Sequence, residues 1–265
     1  MKKFLVIGNP IEHSLSPKLH NHWIKINNID AKYEKKKLHE NEIKNLILEI
    51  KRKNISGVNV TVPFKSTVIP FLDKLSPEAK NTQSVNTIFL NQGQIIGHNT
   101  DIEGFEISIN NLKYNIKGKK VLILGSGGVV PSIIFALNKM KVTEITLSNR
   151  TRDKAEKIKN LFENLKIVDW GEVPDFDVII NATSVGLSQG DKIRLDFSKI
   201  GKNKLFYDVI YNPKETNFLK QGKELDNQIE NGKMMFIYQA YFAFKIWHGI
   251  YPEINQKVID LLDND

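Results

Sequence analysis

The stretch "VLILGSGGVVPSI" (121–133) constrains this chain most. An apolar run reaches Gly125-Ser126-Gly127-Gly128, and a second, helix-compatible apolar segment follows at once. A buried strand that stops at glycines and restarts as a helix is one turn of a strand–helix alternation. The alternation continues downstream. The pattern predicts a helix over 128–139, a strand at "EITLSN" (144–149), a helix over 151–163, and strands at "NLKIVD" (164–169), "FDVIINAT" (176–183) and "LFYDVIY" (205–211). Such an order predicts a parallel sheet covered by helices.

The first hundred residues are also α/β in pattern but less regular. "FLVIG" (4–8) reads as a buried strand, and Ser16-Pro17 opens a helix to about Ile26. "AKYEKKKL" (31–38) has the polar character of an edge strand. Ile43, Leu46, Ile47 and Ile50 have helical spacing within 40–52, and "GVNVTV" (57–62) returns to strand. "VNTIFL" and "QIIGHN" form a hairpin around Asn91-Gln92-Gly93, and Asp101 starts a connecting helix to about Leu112. Near the C-terminus "MMFIYQAYFAFKIWHG" (234–249) is apolar almost all round, which predicts a buried helix.

Composition narrows the function classes. A chain of 265 residues accommodates two modest domains. It has no cysteine, so disulfides, thiolate metal sites and a cysteine nucleophile are excluded. His20 and His22 are two apart on a helix and point to different faces, which argues against a metal pair. The apolar run of "MKKFLVIGNP" is too short for a leader, and no stretch approaches the roughly 20 apolar residues of a membrane span. A cytoplasmic protein with no membrane partner is expected. The net charge of +8 is spread among interleaved acids, without alternating aromatics, and argues against nucleic acid. It favours small anionic ligands.

The glycine cluster has two readings: an ordinary strand–helix turn, or a cradle that brings a pyrophosphate to a helix N-terminus. Val130 stands where the dinucleotide fingerprint usually has a third small residue, and Pro131 falls in the first helical turn. The end of the next strand supplies Asn149, Arg150, Thr151, Arg152 and Lys154, with no carboxylate for a ribose diol. Cations at a helix N-terminus are unfavourable without an anion. The set therefore favours the 2′-phosphate of NADP over NAD, although Thr151 could also cap the helix.

The first half holds candidate polar groups. Ser16 reads as an N-cap before Pro17, and with Ser14 it places two hydroxyls at a helix N-terminus suited to a carboxylate. Asn86, Asn99, Thr100 and Asp101 fall at strand ends, where Asp101 reads first as a helix cap. Gln239 lies in the apolar helix and needs a partner, either a ligand hydroxyl or a backbone carbonyl. In "NVTVPFKS" (59–66) Pro63 ends strand pairing and sets Lys65 at a strand's carboxyl end, where α/β folds place their clefts.

Nine stretches, in order, carry a resemblance: "IGNPIEHSLSPKLHN", "GVNVTVPFK", "SVNTI", "GHNTDIEGF", "GSGG", "NRTRDK", "INATSVGL", "YDVIYNPKET" and "NGKMMFIYQAYFAFKIW". Over essentially its full length the chain resembles the shikimate dehydrogenase family. The resemblance implies an α/β protein of two domains. Residues 1–101 with about 236–265 would form the substrate domain, and 102–235 a Rossmann-type NADP-binding domain, with C-terminal helices packing back on the first. It implies NADPH-dependent reduction of 3-dehydroshikimate to shikimate by a monomer or homodimer. Lys65 and Asp101 would be catalytic. Ser14 and Ser16 would hold the substrate carboxylate, Thr61, Asn86, Asp101 and Gln239 the ring hydroxyls, and Tyr211 would lie near the substrate. Gly125, Ser126, Gly127, Gly128 and Val129 would cradle the pyrophosphate. Asn149, Arg150, Thr151, Arg152 and Lys154 would take the adenosine phosphate, and Ile210 and Gly232 would line the nicotinamide side. Gln83-Ser84, Val129, Val130 and Met234 depart from the family's small residues. Two alternatives remain: a quinate/shikimate dehydrogenase of the same fold, for which Ser-x-Thr rather than Ser14-x-Ser16 is associated, and a non-catalytic NADP-binding sensor.

Overall fold

A computed structural model describes residues 1–188 and 190–263. The polypeptide forms two compact units, Met1–Gly104 with the segment from Ile237 onward, and Phe105–Phe236. The first unit begins with β1 (Lys2–Gly8), α1 (Ser16–Ile26), β2 (Ala31–Lys37), α2 (Ile43–Lys51) and β3 (Gly57–Val60). It continues with β4 (Lys74–Leu75), α3 (Pro77–Thr82), β5 (Thr87–Asn91) and β6 (Gln94–His98). The strand order is β2-β1-β3-β5-β6-β4.

The sequence pattern explains that order. Phe4 to Gly8 are buried, as a strand flanked on both sides in a sheet requires, and β1 pairs in parallel with β2 and β3. In β2 only Tyr33 is buried, and exposed lysines line the open edge and discourage pairing with another chain. Ile43, Leu46, Ile47 and Ile50 form the buried stripe of α2 and join Leu5, Ile7 and Val58 in one core. The hairpin β5–β6 turns at Gln92 and Gly93, both at positive φ (48° and 79°), the conformation that two-residue hairpins need. Strand β3 stops at Val60, two residues earlier than the pattern predicts. The Thr61 N–H instead donates to Ile7 O (2.9 Å), and Pro63 has no N–H to continue a ladder.

Beyond α4 (Asp101–Asn111) the second unit holds β7 (Lys120–Leu124), α5 (Val130–Lys139), β8 (Glu144–Ser148), α6 (Arg152–Lys159), β9 (Leu165–Val168) and β10 (Val178–Asn181). It closes with β11 (Leu205–Asp208), α7 (Asn217–Glu224) and β12 (Gln228–Glu230). Its sheet, β12-β11-β10-β7-β8-β9, is parallel throughout. The chain builds β8 and β9 on one side of β7, then crosses to build β10 to β12 on the other. The carboxyl ends of β7 and β10 thus flank a topological switch point, where such sheets bind ligands. Phe206 anchors the core against Phe176, Phe197 and Phe218. Helix α6 is shorter than its apolar pattern predicts, and β11 ends at Asp208 rather than Tyr211.

The chain ends with α8 (Lys233–His248) and α9 (Gln256–Leu261). Helix α8 is not buried all round. Met235, Ile237, Ala240, Ala243 and Phe244 are buried, while its tyrosines and Lys245 are half-buried, with polar tips that tolerate water. Its end packs on the first sheet. Trp247 packs on Phe4, ring centroids 5.0 Å apart and planes tilted by 35°, and donates to Ile88 O (3.3 Å). Its ring occupies the space a Cβ would take at Gly57, only 2.4 Å away.

His20 sits in the same aromatic cluster, parallel to the Tyr33 ring at 4.2 Å, and both its ring nitrogens lack partners among the described residues. Burial, and then the charge of His248, push His20 down to about 3. Burial, and then Lys2, push His248 down to about 4. An unfolded histidine titrates near 6.5, so between that pH and the folded values the unfolded chain binds more protons. The neutral histidines therefore stabilise the fold fully above about pH 6.5, and the contribution is lost as pH falls. For fully buried His20 the loss amounts to about 2 kcal/mol between pH 7 and pH 5. A His20→Phe variant should flatten the fall of melting temperature over that range. An unchanged slope would show that His20 does not carry the effect.

Candidate active site

In the first unit the turn after β3 delivers Lys65. Phe64 N–H donates to Thr61 O (2.9 Å), and Val85 N–H to Lys65 O (2.8 Å), which pins the turn to the segment before β5. Lys65 is buried, 9% exposed as a residue, and its Nζ lies 2.6 Å from Asp101 Oδ2. Asp101 is the first residue of α4, but it is not the cap. Asn99 Oδ1 accepts from the Asp101 N–H (3.0 Å), which frees the Asp101 carboxylate for other partners. Its second oxygen accepts from Asn86 Nδ2 (3.0 Å).

Asn86 ties the cluster together. Its Nδ2 also reaches Thr100 Oγ1 (2.9 Å) and Gln239 Oε1 (3.4 Å), and its Oδ1 accepts from the Thr100 N–H (2.8 Å). Thr100 Oγ1 donates in turn to Gln239 O (2.9 Å), so α8 joins the strand ends here. Lys65, Asn86, Asp101 and Gln239 therefore belong to one hydrogen-bonded group.

A neighbouring loop carries the serines. Asn9 N–H donates to Val62 O (2.9 Å), linking the segment after β1 to the turn that holds Thr61. Gly8 makes that approach possible, because a Cβ there would come within 2.6 Å of Thr61 Cγ2. Ser16 is not an N-cap. The chain already turns at Ser14, whose N–H donates to Ile11 O (3.1 Å), and Leu15 takes the cap position without a side-chain bond. Ser14 Oγ accepts from the Ser16 N–H at 3.4 Å, so the two serines are adjacent at the start of α1. Ser16 neighbours Tyr33, whose hydroxyl donates to Asn59 Oδ1 (2.7 Å).

The second unit carries the other predicted group. Gly125 has φ +103°, and a Cβ there would stand 2.9 Å from Ala182 O, so only glycine fits. Its N–H donates to Ser148 O (2.8 Å), joining the ends of β7 and β8. Helix α5 starts two residues later than predicted, with Val129 as an N-cap that makes no side-chain bond. Ser126, Gly127 and Gly128 lie between them. At the end of β8 Asn149 Nδ2 donates to Thr151 O (2.7 Å), and the Thr151 hydroxyl does not cap α6. Arg152 pairs with Asp169 (2.5 Å) and Glu156 (3.3 Å). Asp169 directly follows β9, the adjacent strand. Arg150 and Lys154 are exposed and have no ion pair among the described residues. Tyr211 also lies in this unit, stacked on Phe236 at 4.4 Å. Gly232 N–H donates to Ile210 O (3.1 Å).

The comparisons with known proteins agree across the chain. Residues 6–88 match the shikimate dehydrogenase substrate-binding domain, and residues 107–208 match the shikimate/quinate 5-dehydrogenase domain. A shikimate dehydrogenase (NADP(+)) of Pelagibacter ubique is 58% identical, over 99% of this chain and 99% of its own length. The chain belongs to the shikimate dehydrogenase family. The crystal structure of shikimate dehydrogenase from Aquifex aeolicus superposes with a TM-score of 0.91 at 36% identity, covering 100% of this chain and 98% of that one. The Thermus thermophilus enzyme, solved with NADP(H) and shikimate, has a TM-score of 0.89 at 29% identity, covering 99% of each chain.

Within this family frame the second unit suits a dinucleotide phosphate. The space over Gly125 is closed to any side chain, and the end of β8 offers Asn149, Arg150, Thr151 and Lys154 without a carboxylate. Among the described residues no group of three or more His, Asp or Glu could hold a metal ion, and no helix is long and apolar enough to cross a membrane. Pattern reading assigns no role to Asn59, Asn181, Asp208 or Thr216. Asn181 and Asp208 could have been suspected as polar residues ending apolar strands.

Proposed function

We propose that this chain reduces 3-dehydroshikimate to shikimate with NADPH. The observation that carries the reading is the Lys65–Asp101 ion pair, almost closed to solvent, at 2.6 Å within a group of substrate-compatible amides and hydroxyls. NADPH supplies a hydride from its nicotinamide C4 to the C3 carbonyl carbon of the substrate. Negative charge then grows on the C3 oxygen. The Lys65 ammonium donates a proton to that oxygen, leaving a neutral amine and a new hydroxyl. Asp101 accepts from Lys65 and fixes the direction of its Nζ, and Asn86 in turn holds Asp101. In the oxidative direction the neutral amine takes the hydroxyl proton. Ser14 and Ser16 bind the ring carboxylate, and Thr61, Asn86 and Gln239 bind ring hydroxyls. The family resemblance assigns Tyr211 to the vicinity of the substrate.

Gly125 to Val129 cradle the cofactor pyrophosphate, and Ile210 and Gly232 border its nicotinamide. Asn149, Arg150, Thr151, Arg152 and Lys154 receive the 2′-phosphate. Arg150 carries the largest share, because Arg152 is already engaged by Asp169. Arg150→Ala should raise KM for NADPH about tenfold, the worth of one charge-assisted hydrogen bond, and leave NADH nearly unchanged. Equal KM values before and after substitution, for both cofactors, would reject this role.

Ser16 favours shikimate over quinate, which carries an extra hydroxyl at the carboxylate-bearing carbon. A spectrophotometric assay with shikimate and NADP, and with quinate and NAD as controls, tests the whole reading. Turnover confined to the first pair is the expected result. Preference for quinate, or no turnover by folded protein, would overturn it.

A further inference from the structure

Asp208 ends β11 fully buried, and no step above uses it. Its carboxylate gathers donors from three separate segments. Oδ1 accepts from Asn181 Nδ2 (3.0 Å), at the end of β10, and from the Ile210 N–H (3.0 Å), in the loop that follows β11. Oδ2 accepts from Thr216 Oγ1 (2.6 Å), the N-cap of α7. Asn181 extends the network into the next loop. Its Oδ1 accepts from the Thr183 N–H (3.1 Å) and Thr183 Oγ1 (2.7 Å), and its Nδ2 also donates to Val185 O (3.1 Å). The Val185 N–H returns to Thr183 Oγ1 (3.0 Å).

One buried carboxylate thus fixes two backbone segments, 181–185 and 208–210. Each segment packs on a glycine assigned above to the cofactor. Ala182 O closes the space beside Gly125, at 2.9 Å from where its Cβ would be. Val209 O stands 2.1 Å from where a Cβ of Gly232 would be. Between them Gly186, at φ +122°, brings the chain against Ile210 Cδ1 and Thr216 Cγ2, 3.2 and 3.0 Å from its would-be Cβ. Burial pushes the Asp208 carboxyl up to about 6 against the pull of Thr216, Ile210 and Asn181. A desolvated carboxylate is costly to keep, and an apolar residue would fill the strand end more cheaply.

We propose that Asp208 is a positioning residue for NADPH, holding the 181–185 loop and Ile210 in register with Gly125 and Gly232. The inference rests on the reading of the second unit as the NADPH site. Three variants test it: Asp208→Ala, Asp208→Asn and Thr216→Val. NADPH dissociation constants are measured by calorimetry, alongside KM for 3-dehydroshikimate and thermal melting. Asp208→Ala should weaken NADPH at least tenfold and leave KM for 3-dehydroshikimate within twofold. Asp208→Asn should stay within threefold of wild type, because its amide oxygen still accepts from Ile210 and Asn181 and its amino group can face Thr216 Oγ1. Thr216→Val, which removes one donor, should fall between them. If Asp208→Ala fails to fold, the other two decide. Loss of NADPH affinity in Thr216→Val without change in KM for 3-dehydroshikimate supports the proposal. NADPH binding like wild type in folded Asp208→Ala or Thr216→Val, or parallel loss for both ligands, overturns it. Absence of NADPH binding by the wild-type protein would instead reject the reading beneath it.

Discussion

Replacement of Lys65 by methionine should lower kcat about a thousandfold while the NADPH dissociation constant stays within twofold. General acid catalysis by a positioned side chain is worth about 10²- to 10⁴-fold. A thousandfold loss corresponds to about 4 kcal/mol of transition-state stabilisation. Methionine keeps the unbranched stem that crosses the buried turn and removes only the proton-bearing group. Asp101 loses its partner at 2.6 Å but retains the Asn86 amide at 3.0 Å, so the variant should still fold. Lys65 and the glycine loop belong to different units, which is why cofactor affinity is expected to survive. Steady-state kinetics and calorimetric titration read the two quantities separately. Near-wild-type turnover by a folded Lys65→Met protein would remove Lys65 from the chemistry.

Elements whose signal is local were legible in the sequence. The parallel order around β7 follows from apolar runs alternating with helical segments, and the β5–β6 hairpin from Gln92-Gly93. Short elements were not legible: β4 has two residues and β12 three, too few for any period to register. Helix α3 was passed over too, although Ser76 caps it through the Ala79 N–H and Pro77 starts it. Its six residues carry only two buried positions, so no apolar stripe betrays it.

The site shows the same division. Lys65 and Asp101 are 36 residues apart, and their pairing depends on two turns and a strand ladder that no local pattern encodes. Residue types alone suggested that Asp101 caps α4. In the structure the helix begins at Asp101 itself, Thr100 precedes it and accepts from the Gly104 N–H, and Asn99 Oδ1 takes the Asp101 N–H. Ser16 went the same way, displaced as a cap by the earlier turn at Ser14. Asp169 was invisible as a partner of Arg152, since their contact exists only because β8 and β9 lie side by side. What pattern misses here is tertiary adjacency.

Gly232→Ala should produce the largest loss in the second unit. The added methyl would stand 2.1 Å from Val209 O and 2.5 Å from Val209 C, and both are backbone atoms that no rotamer change can move. Neither side is free to yield. Gly232 N–H is tied to Ile210 O (3.1 Å), Phe236 N–H to Gly232 O (2.9 Å), and Val209 N–H to Asn181 O (2.9 Å). Relief requires the start of α8 to separate from the loop after β11. Overpacking of this kind costs about 3 kcal/mol, which for a chain of this size lowers the melting temperature by roughly 10 °C. The same displacement moves Ile210, so NADPH affinity should fall about tenfold in protein that remains folded, at a cost near 1.4 kcal/mol. Gly201→Ala is the matched control, because its methyl would meet only the flexible Lys204 Cε at 3.8 Å. That variant should melt and bind like wild type. If Gly232→Ala does so too, the close approach of Gly232 to Val209 is not a constraint on the fold or on the cofactor.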